Sequence, residues 1–411
     1  MNLPGAACRV VCAMAVVGAL APRPASAQSD PERPSLELGP FEFRPRLVFK
    51  DVGVDNNVFN EHTNPKSDFT TTASPDLEIS THPGRLKLAY NSGTDFVYFH
   101  KYTTERSRNS VVGARADVEL SWLKPFASFS AAQTSARPNS EIDARARHNM
   151  RSYTAGTTVK IASRTSVGIL RRHTAETYEE GAQFRGEDLA RSLDTSLDAF
   201  ETSFNVELTP LTTFSIVGTK DQQRFDHAPE RDADSFRIAP TFTFSPLGLI
   251  TGSASFGYRR FNGLDPSLPD FSGFVSTGTV GILFYDQYKV DTTFTRDVRY
   301  SYERSLPYYI VGGVRATFSA QTYGPLDLRV TAGRESMSYR SLNGVAQPDS
   351  LVTADSDLLV LYGGGIGYRL STRARVVVDA EFSHRSSNRD AFREFRNHRI
   401  VALLNWGALS R

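Results

Sequence analysis

The spacing of its turn signals constrains this chain more than any other feature. Between Phe41 and Trp406 the sequence divides into about eighteen segments of roughly ten to sixteen residues, and the gaps are alternately short and long. The short gaps are the turns His82-Pro83-Gly84, Leu123-Lys124-Pro125, Pro210-Leu211-Thr212, Pro246-Leu247-Gly248 and Ser371-Thr372-Arg373. The long gaps are the polar stretches 52–67, 138–148, 179–192, 262–271 and 341–356. A soluble sandwich has no reason to sort its turns by parity, whereas an outer-membrane barrel has short periplasmic turns and long extracellular loops.

Within these segments, apolar and polar residues alternate with a period of two. In 236–244, for example, Arg237 and Thr241 fall on one face, and Phe236, Ile238 and Phe242 fall on the other. Segments 289–303, 358–370 and 374–383 repeat the pattern. One face of each strand therefore meets apolar surroundings and the other meets water.

The segments predict an all-β transmembrane antiparallel barrel of eighteen strands. They are 41–51, 68–81, 85–101, 109–122, 126–137, 149–161, 165–178, 194–208, 212–226, 234–245, 249–261, 273–285, 288–302, 308–320, 325–340, 357–370, 374–387 and 396–406. Sixteen is the alternative count, if the first segment is periplasmic or two segments are over-split. Pro45, Pro75 and Pro240 fit poorly inside strands because proline lacks the ladder donor.

The N-terminus predicts export from the cytoplasm. Arg9, the apolar run 10–21 and the small residues Ala25-Ser26-Ala27 form a secretory signal peptide over 1–27. We expect a periplasmic N-terminal segment over 28–40 and the barrel over 41–411. Cys8 and Cys12 would leave with the signal, so the mature chain would contain no thiol.

Composition argues against helical membrane proteins and against nucleic-acid-binding proteins. No run of eighteen apolar residues exists, which excludes transmembrane helices, and a mean hydropathy of −0.33 suits a barrel with one water-lined face. The net charge of +2 gives no reason to expect a nucleic-acid partner.

Aromatic residues collect where the predicted strands meet their gaps. We expect an aromatic girdle at each membrane interface. Beside the long loops its members are Tyr98, Tyr300, Tyr302 and Tyr308, and beside the short turns and the C-terminus they are Trp122 and Trp406. The alternative is that these are ordinary strand aromatics, since strands favour such residues.

The last segment ends on an aromatic residue, Trp406. This terminal amphipathic strand resembles the signal read by the outer-membrane barrel assembly machinery, which is an expected partner. The tail 407–411 departs from the usual pattern, which ends on the aromatic itself.

Two stretches carry a family resemblance. Asp55-Asn56-Asn57-Val58-Phe59, and Ser245-Pro246-Leu247 followed by Gly257-Tyr258-Arg259-Arg260-Phe261, resemble a family of outer-membrane β-barrel porins (its second type) associated with exopolysaccharide loci. The resemblance implies an outer-membrane conduit for a secreted polysaccharide, with a periplasmic polysaccharide export protein as a partner. It implies no substrate in particular and no catalytic residues.

The face opposite the lipid is rich in arginine. Barrels of sixteen to eighteen strands can hold an aqueous channel. The candidate channel-lining residues are Arg115, Arg237, Arg259, Arg299, Arg315, Arg329, Arg369, Arg375, Asp291 and Glu381. They could form a path for anions, because guanidinium groups stay charged and bind carboxylate and phosphate. Alternatively, the arginines pair with lumen acids and stiffen the wall.

Enzyme chemistry is not expected. Ser383 and His384 are neighbours on one strand and point to opposite faces, so they cannot form a nucleophile–base pair. No cofactor or zinc motif is present, although Glu61-His62 and Asp232-Ala233-Asp234 could hold a divalent cation that bridges lipopolysaccharide. The segment 186–193 has a weak helical pattern in a long loop, and a solvated loop turn fits it equally well.

The leading hypothesis is therefore a conduit for a surface polysaccharide in the outer membrane of a Gram-negative bacterium, surrounded by outer-membrane lipids and lipopolysaccharide. A general diffusion porin for small solutes is the first alternative. A barrel that is plugged and serves as a structural or adhesive protein is the second.

Overall fold

The computed structural model describes residues 36–343, 355–371 and 373–407. Eighteen of the strands found there form one closed antiparallel barrel. These strands are β2 (Phe41–Asp55), β3 (Asp68–Thr81), β4 (Leu86–Phe99), β5 (Ser107–Val118), β6 (Leu123–Thr134), β7 (His148–Ala162), β8 (Thr165–Tyr178), β11 (Thr195–Thr209), β12 (Thr212–Phe225), β13 (Ala233–Phe244), β14 (Ile250–Gly263), β15 (Phe271–Phe284), β16 (Tyr288–Tyr300), β17 (Tyr308–Tyr323), β18 (Leu326–Arg340), β19 (Ser356–Ser371), β20 (Ala374–Ser387) and β21 (Phe395–Gly407). The predicted fold class and the count of eighteen are confirmed.

The remaining elements are short. Strand β1 (Leu36–Leu38) pairs with the start of β2 through a turn at Gly39, so the end of the predicted periplasmic segment adds to the sheet. One long loop holds the two-residue strands β9 (Gln183–Phe184) and β10 (Glu187–Asp188) and the helix α1 (Leu189–Leu193). Three other loops hold the 3-10 helices Thr103–Glu105, Pro229–Arg231 and Ala391–Arg393. No helix among the described residues has the length and apolar character needed to cross a membrane.

One predicted turn is displaced. Strand β5 ends at Val118 and β6 begins at Leu123, so the turn is 119–122 and not Leu123-Lys124-Pro125. Pro125 pairs with Thr157 of β7. The ladder between β5 and β6 begins only at Phe126, and the strand therefore tolerates a residue without an N–H at position 125.

The other prolines fit the same rule. The β13–β14 pairing skips Pro240, and the β3–β4 pairing skips Pro75. Each proline remains in its strand because the ladder on its other side is intact, as at the Ile216–Pro240 pair.

The barrel closes where β2 meets β21. The pairing runs from Arg46 with Gly407 to Asp55 with Arg399. Beyond Asp55, the segment with the family resemblance continues the seam through side chains. Asn56 Oδ1 accepts from the backbone N–H of His398 at 2.7 Å, and the amide of Asn57 donates to the carbonyl of Arg396 at 3.0 Å. The Asp-Asn-Asn motif therefore fastens the first strand to the last at the extracellular end.

The two faces of the wall differ as the alternation predicts. Apolar side chains such as Val330, Tyr362 and Ile366 point outward and are more than half exposed in the isolated chain. Charged side chains occupy the inner face, where residues on strands two or three apart come into contact. The predicted signal peptide 1–27, most of the 28–40 segment, and parts of the 341–356 loop and of the C-terminal tail lie outside the described residues.

Candidate channel and its loop cap

Glycines on β19 allow charged side chains from both neighbouring strands to meet on the inner face. Arg329 of β18 reaches Asp379 of β20 across Gly365, where an added Cβ would lie 1.9 Å from Asp379 Oδ1. Arg375 of β20 reaches Asp327 of β18 across Gly367, where the same addition would lie 2.3 Å from Asp327 Oδ1. Gly365, within the predicted Gly363-Gly364-Gly365 run, thus lets side chains of the two neighbouring strands approach closely.

Other candidate channel-lining residues are paired in the same way. Arg259 of β14 lies 2.8 Å from Asp297 of β16 and 3.6 Å from Asp221 of β12. Arg237 of β13 approaches the same Asp297 at 3.9 Å. Because only the concave side of a barrel lets such non-adjacent strands meet, these contacts identify the inner face.

The inner charges continue around the wall. Arg315 of β17 contacts Glu381 of β20 at 3.5 Å, Arg115 contacts Asp117 at 2.6 Å, and Asp291 contacts Lys289 at 2.9 Å. We call these inner-face pairs, with those of Arg259, Arg329 and Arg375, the charge ladder. It contains cations and carboxylates in contact, so the field of each arginine is largely balanced locally.

The last two candidates lie at opposite ends of their strands. Arg299, near the extracellular end of β16, hydrogen-bonds with Tyr309 of β17. Arg369, near the periplasmic end of β19, is opposite Arg375 in the register. All ten predicted channel-lining residues are therefore located in strands, and their part in conduction stays a prediction.

The extracellular mouth is crossed by loops from opposite sides of the barrel. Glu141 in the β6–β7 loop accepts a hydrogen bond from the hydroxyl of Ser301 in the β16–β17 loop at 2.6 Å. Not counting the strands that they connect, six barrel strands lie between these two loops in one direction and eight in the other, so the loops start from nearly opposite sides. The two loops together therefore extend across the mouth. We call the loop residues that meet across it, among them Glu141 and Ser301, the loop cap.

Two arginines organise the centre of the loop cap. Arg393 contacts Asp357 at 2.9 Å and Glu303 at 2.7 Å, and it donates to the hydroxyls of Tyr339 and Tyr302. Arg385 pairs with the same Asp357 and donates to the carbonyl of Ser140 at 2.9 Å. The described side chains of Arg385, Arg393 and Asp357 are at most 2% exposed. The network therefore joins three loops and the ends of three strands away from water.

A third buried arginine fastens another group of loops. Arg231, in the β12–β13 loop, donates to the carbonyls of Ser192, Ser301 and Pro307. Its guanidinium also lies over the ring of Phe225, 5.2 Å from the centroid. Burial lowers the pKa of Arg231 to about 10, so the group stays charged at neutral pH.

The loop cap has an apolar part built on the helical loop. Helix α1 begins after Asp188, whose carboxylate accepts from the N–H of Arg191, and four of its five residues are buried. Leu189 and Leu193 pack with Ile142 and Tyr302. The predicted loop helix is therefore shorter than 186–193 and is buried in the loop cap.

The same loop reaches the far side of the mouth. Arg185 and Gly186 both adopt positive φ and turn the β9–β10 hairpin. From its tip, Arg185 pairs with Asp390 at 3.0 Å and donates to the carbonyl of Phe392 at 2.6 Å, both in the β20–β21 loop.

Glu141 is the titratable group at the centre of this arrangement. Burial raises its pKa to about 7, and the Ser301 hydrogen bond and the charges of Arg393 and Arg385 oppose that shift. The charge of Glu303 raises the pKa further. Glu141 Oε2 is buried and has no hydrogen-bond partner. A protonated Glu141 therefore suits the closed loop cap better than an ionised one.

The predicted aromatic girdle needs a correction. Trp406 and Tyr98 are exposed on the wall and Trp122 is exposed in the turn 119–122, and their membrane role stays a prediction. Tyr302 and Tyr308 are 2% and 0% exposed and lie within the loop cap, so they do not belong to a lipid interface. Tyr300 joins them, with its ring 4.6 Å from that of Phe225. The β15–β16 ladder ends at Arg296, and the β16–β17 hairpin bends inward beyond it.

Sequence reasoning missed the charged centre of the loop cap. It singled out none of Glu141, Arg231, Arg385 and Arg393. The available signal was the apolar Ile142 and Leu189 in loops that would otherwise face water. The described residues contain no group of three or more side chains suited to a metal ion.

Comparison with known proteins agrees with this architecture. The model of the family described as "Putative beta-barrel porin 2" matches residues 34–405. The structure of OccK2 (OpdF) from Pseudomonas aeruginosa, in complex with glucuronate, is similar with a TM-score of 0.51 and 9% identity, over 89% of this chain and 98% of that one. A BenF-like porin from Pseudomonas fluorescens Pf-5 has a TM-score of 0.48 and 11% identity, over 89% of this chain and 99% of that one. No curated protein matches.

Proposed function

The chain belongs to the family "Putative beta-barrel porin 2" and is a porin-like barrel of the Gram-negative outer membrane, and on that premise we propose that it passes small polar solutes through a mouth gated by the loop cap. The observation that carries this proposal is the Glu141–Ser301 contact across the mouth, together with the buried network around Arg393. We expect loops that meet in this way to block a polymer until the network separates. Small solutes should pass after only a partial displacement of the loops.

The charge ladder supports a polar but weakly selective passage. Its arginines contact carboxylates, so the lumen offers hydrogen-bonding groups of both signs without a continuous cationic track. Paired rings of charge set only a modest ion preference. We therefore expect sugars and amino acids to pass once the loop cap opens.

A reversible cross-link tests the gating role. The double variant Glu141→Cys/Ser301→Cys, joined by a short bis-methanethiosulfonate reagent, would fasten the two loops to each other. Single-channel current through the refolded protein in planar bilayers should fall on cross-linking and recover on reduction. The matched control is Ser110→Cys/Gln133→Cys, which joins neighbouring wall positions of β5 and β6. Equal currents in the two cross-linked proteins would refute gating by the loop cap.

Export of a surface polysaccharide is the second candidate. The family resemblance of Asp55-Asn56-Asn57 and Gly257-Tyr258-Arg259-Arg260-Phe261 favours it, as do inner charges from Arg375 near the periplasm to Arg259 near the mouth. This function requires the entire loop cap to move aside, which a periplasmic export protein could drive.

Conductance with and without a long acidic polysaccharide separates the two candidates. Current that the polymer interrupts from one side only would support export. A current that the polymer does not change, together with permeation of sugars, would support the small-solute channel. No current from a verified folded barrel, in wild type and after loop-cap disruption, would contradict both and indicate a plugged structural protein.

A further inference from the structure

The outward face of the barrel ends in basic side chains on the extracellular side. On β12 the outward residues Phe214, Ile216 and Gly218 are followed by Lys220, and on β18 an apolar run from Leu326 is followed by Arg334. The same succession occurs on seven strands. Its basic members, which we call the basic belt, are Arg108, Arg151, Arg171, Lys220, Arg260, Arg296 and Arg334. All of them are exposed.

The position of the basic belt matches the upper limit of the hydrocarbon. Outer-membrane barrels present an apolar band about 25 Å tall to the lipid. Four or five outward positions precede the basic residue on most of these strands, counted from the periplasmic turn, which covers a similar height for a tilted strand. The cations therefore lie at the level of the outer-leaflet headgroups.

The strand register makes one part of the basic belt continuous. Arg171 is opposite Phe200, Phe200 is opposite Lys220, Lys220 is opposite Phe236, and Phe236 is opposite Arg260. Cross-strand partners share a face, so three cations alternate with two phenylalanines along one row. Phe200 and Phe236 are 49% and 54% exposed, which leaves their rings available to acyl chains.

Carboxylates neutralise only part of this surface. Asp198 lies 3.3 Å from Arg171 and 3.2 Å from His173. Among the described residues, no carboxylate contacts Arg151, Lys220 or Arg334. Arg260 and Arg296 use one nitrogen each, toward Asn262 Oδ1 at 3.2 Å and the carbonyl of Phe274 at 3.1 Å. Exposed cations at the level of the headgroups attract anionic lipid groups.

We propose that the row Arg171–Phe200–Lys220–Phe236–Arg260 binds the phosphate groups of an anionic outer-leaflet glycolipid, with its acyl chains against the two phenylalanine rings. Arginine and lysine hold phosphate through charge-assisted hydrogen bonds, and their aliphatic stems cover apolar surface. A phosphorylated lipid fits better than a protein partner because the cations recur at one height on seven strands between β5 and β18, twelve of the eighteen strands of the barrel. This surface is independent of conduction through the lumen.

The test compares lipid binding of wild type with that of two variants. The belt variant is Arg171→Gln/Lys220→Gln/Arg260→Gln. The control is Arg172→Gln/Arg259→Gln, which removes the inward-facing neighbours of two belt residues. The probes are purified lipopolysaccharide and its enzymatically dephosphorylated form. Each is added to the folded, detergent-solubilised full mature barrel, and native mass spectrometry measures how much lipid the protein retains.

We expect wild type and control to retain phosphorylated lipopolysaccharide. The belt variant should bind it at least about tenfold more weakly. Wild type should prefer the phosphorylated form by a similar factor. The comparison of the two lipids on wild type needs no variant to fold. Equal retention of both forms by wild type, or equal retention by belt and control variants, would overturn the proposal.

Discussion

The loop cap and the charge ladder are both built from arginine and carboxylate. They differ in how much solvent reaches the side chains and in how far apart the joined segments lie. In the loop cap the Arg393–Asp357 pair is 2% and 0% exposed, and Arg385, which shares Asp357, also donates to the carbonyl of Ser140, 245 positions away in the chain. In the charge ladder the Arg329–Asp379 pair is 17% and 19% exposed and spans a single intervening strand. Desolvation makes the first pair costly to break, whereas lumen water can replace either partner of the second. The same chemistry therefore determines a conformational state in one region and only local charge in another.

The same substitution in both regions should have its larger effect in the loop cap. Arg393→Met leaves Asp357 and Glu303 with fewer partners away from water, and we expect it to destabilise the closed loop cap by about 3–5 kcal/mol. Hydrogen exchange of loop amides should accelerate, and the fraction of time that single channels conduct should rise.

The matched wall variant is Arg329→Met. It should change loop exchange little and cost less than about 1 kcal/mol in the unfolding of the barrel. Similar effects of the two variants would mean that burial does not distinguish the loop cap from the charge ladder.

The pH dependence of the loop cap comes next in size. The pKa of Glu141 is about 7 in the closed loop cap and should return toward 4.5 when the loops open. Between these values the closed state holds the extra proton, so its stability falls as pH rises. From pH 5.5 to 8.5 the loss should be on the order of 2 kcal/mol.

Loop exchange and channel opening, followed across this pH range, measure that loss. Opening should increase with pH in wild type, and Glu141→Gln should remove most of the dependence. An unchanged pH profile in that variant would show that another group titrates.

A side chain added at Gly365 should disturb an ion pair of the charge ladder. Gly365→Ala places a Cβ against the Asp379 carboxylate and should displace it from Arg329, at a cost of about 1–3 kcal/mol. The control Gly364→Ala faces the lipid, where the nearest atom is a carbonyl oxygen at 3.3 Å. Urea unfolding of the folded barrel should distinguish the two, and equal midpoints would contradict the close-approach role.

The smallest expected effect concerns ion preference. Arg259→Gln leaves Asp297 and Asp221 less balanced, so the reversal potential in a salt gradient should shift slightly toward cations. Arg260→Gln, one residue along and on the lipid face, is the control and should leave the reversal potential unchanged.

The wall could be predicted from the sequence almost in full. Alternation determined which residues of β13, β19 and β20 face lipid, because a period of two leaves no freedom once one face is apolar. The alternation of short and long gaps predicted eighteen strands and which end of each strand faces the periplasm. The turn at 119–122 differs from the predicted one because proline, a common turn signal, can also occupy a strand wherever one ladder is absent.

The loop cap could not be predicted, because its contacts join residues far apart in the chain. Glu141 and Ser301 are separated by 160 positions, and no local pattern relates them. Tyr302 and Tyr308 matched the position of interface aromatics, and only the inward bend of the β16–β17 hairpin placed them inside.

By itself, then, the sequence determined the barrel, its strand count, its orientation and its apolar outer face, since these follow from local periodicity and turn chemistry. The tertiary structure alone decided which arginines are paired, where Glu141 is buried, and how Asp55-Asn56-Asn57 fastens the seam. The physical reason is that closure of the barrel brings distant strands and loops together on one concave side. There, burial and charge depend on partners that a linear sequence does not order.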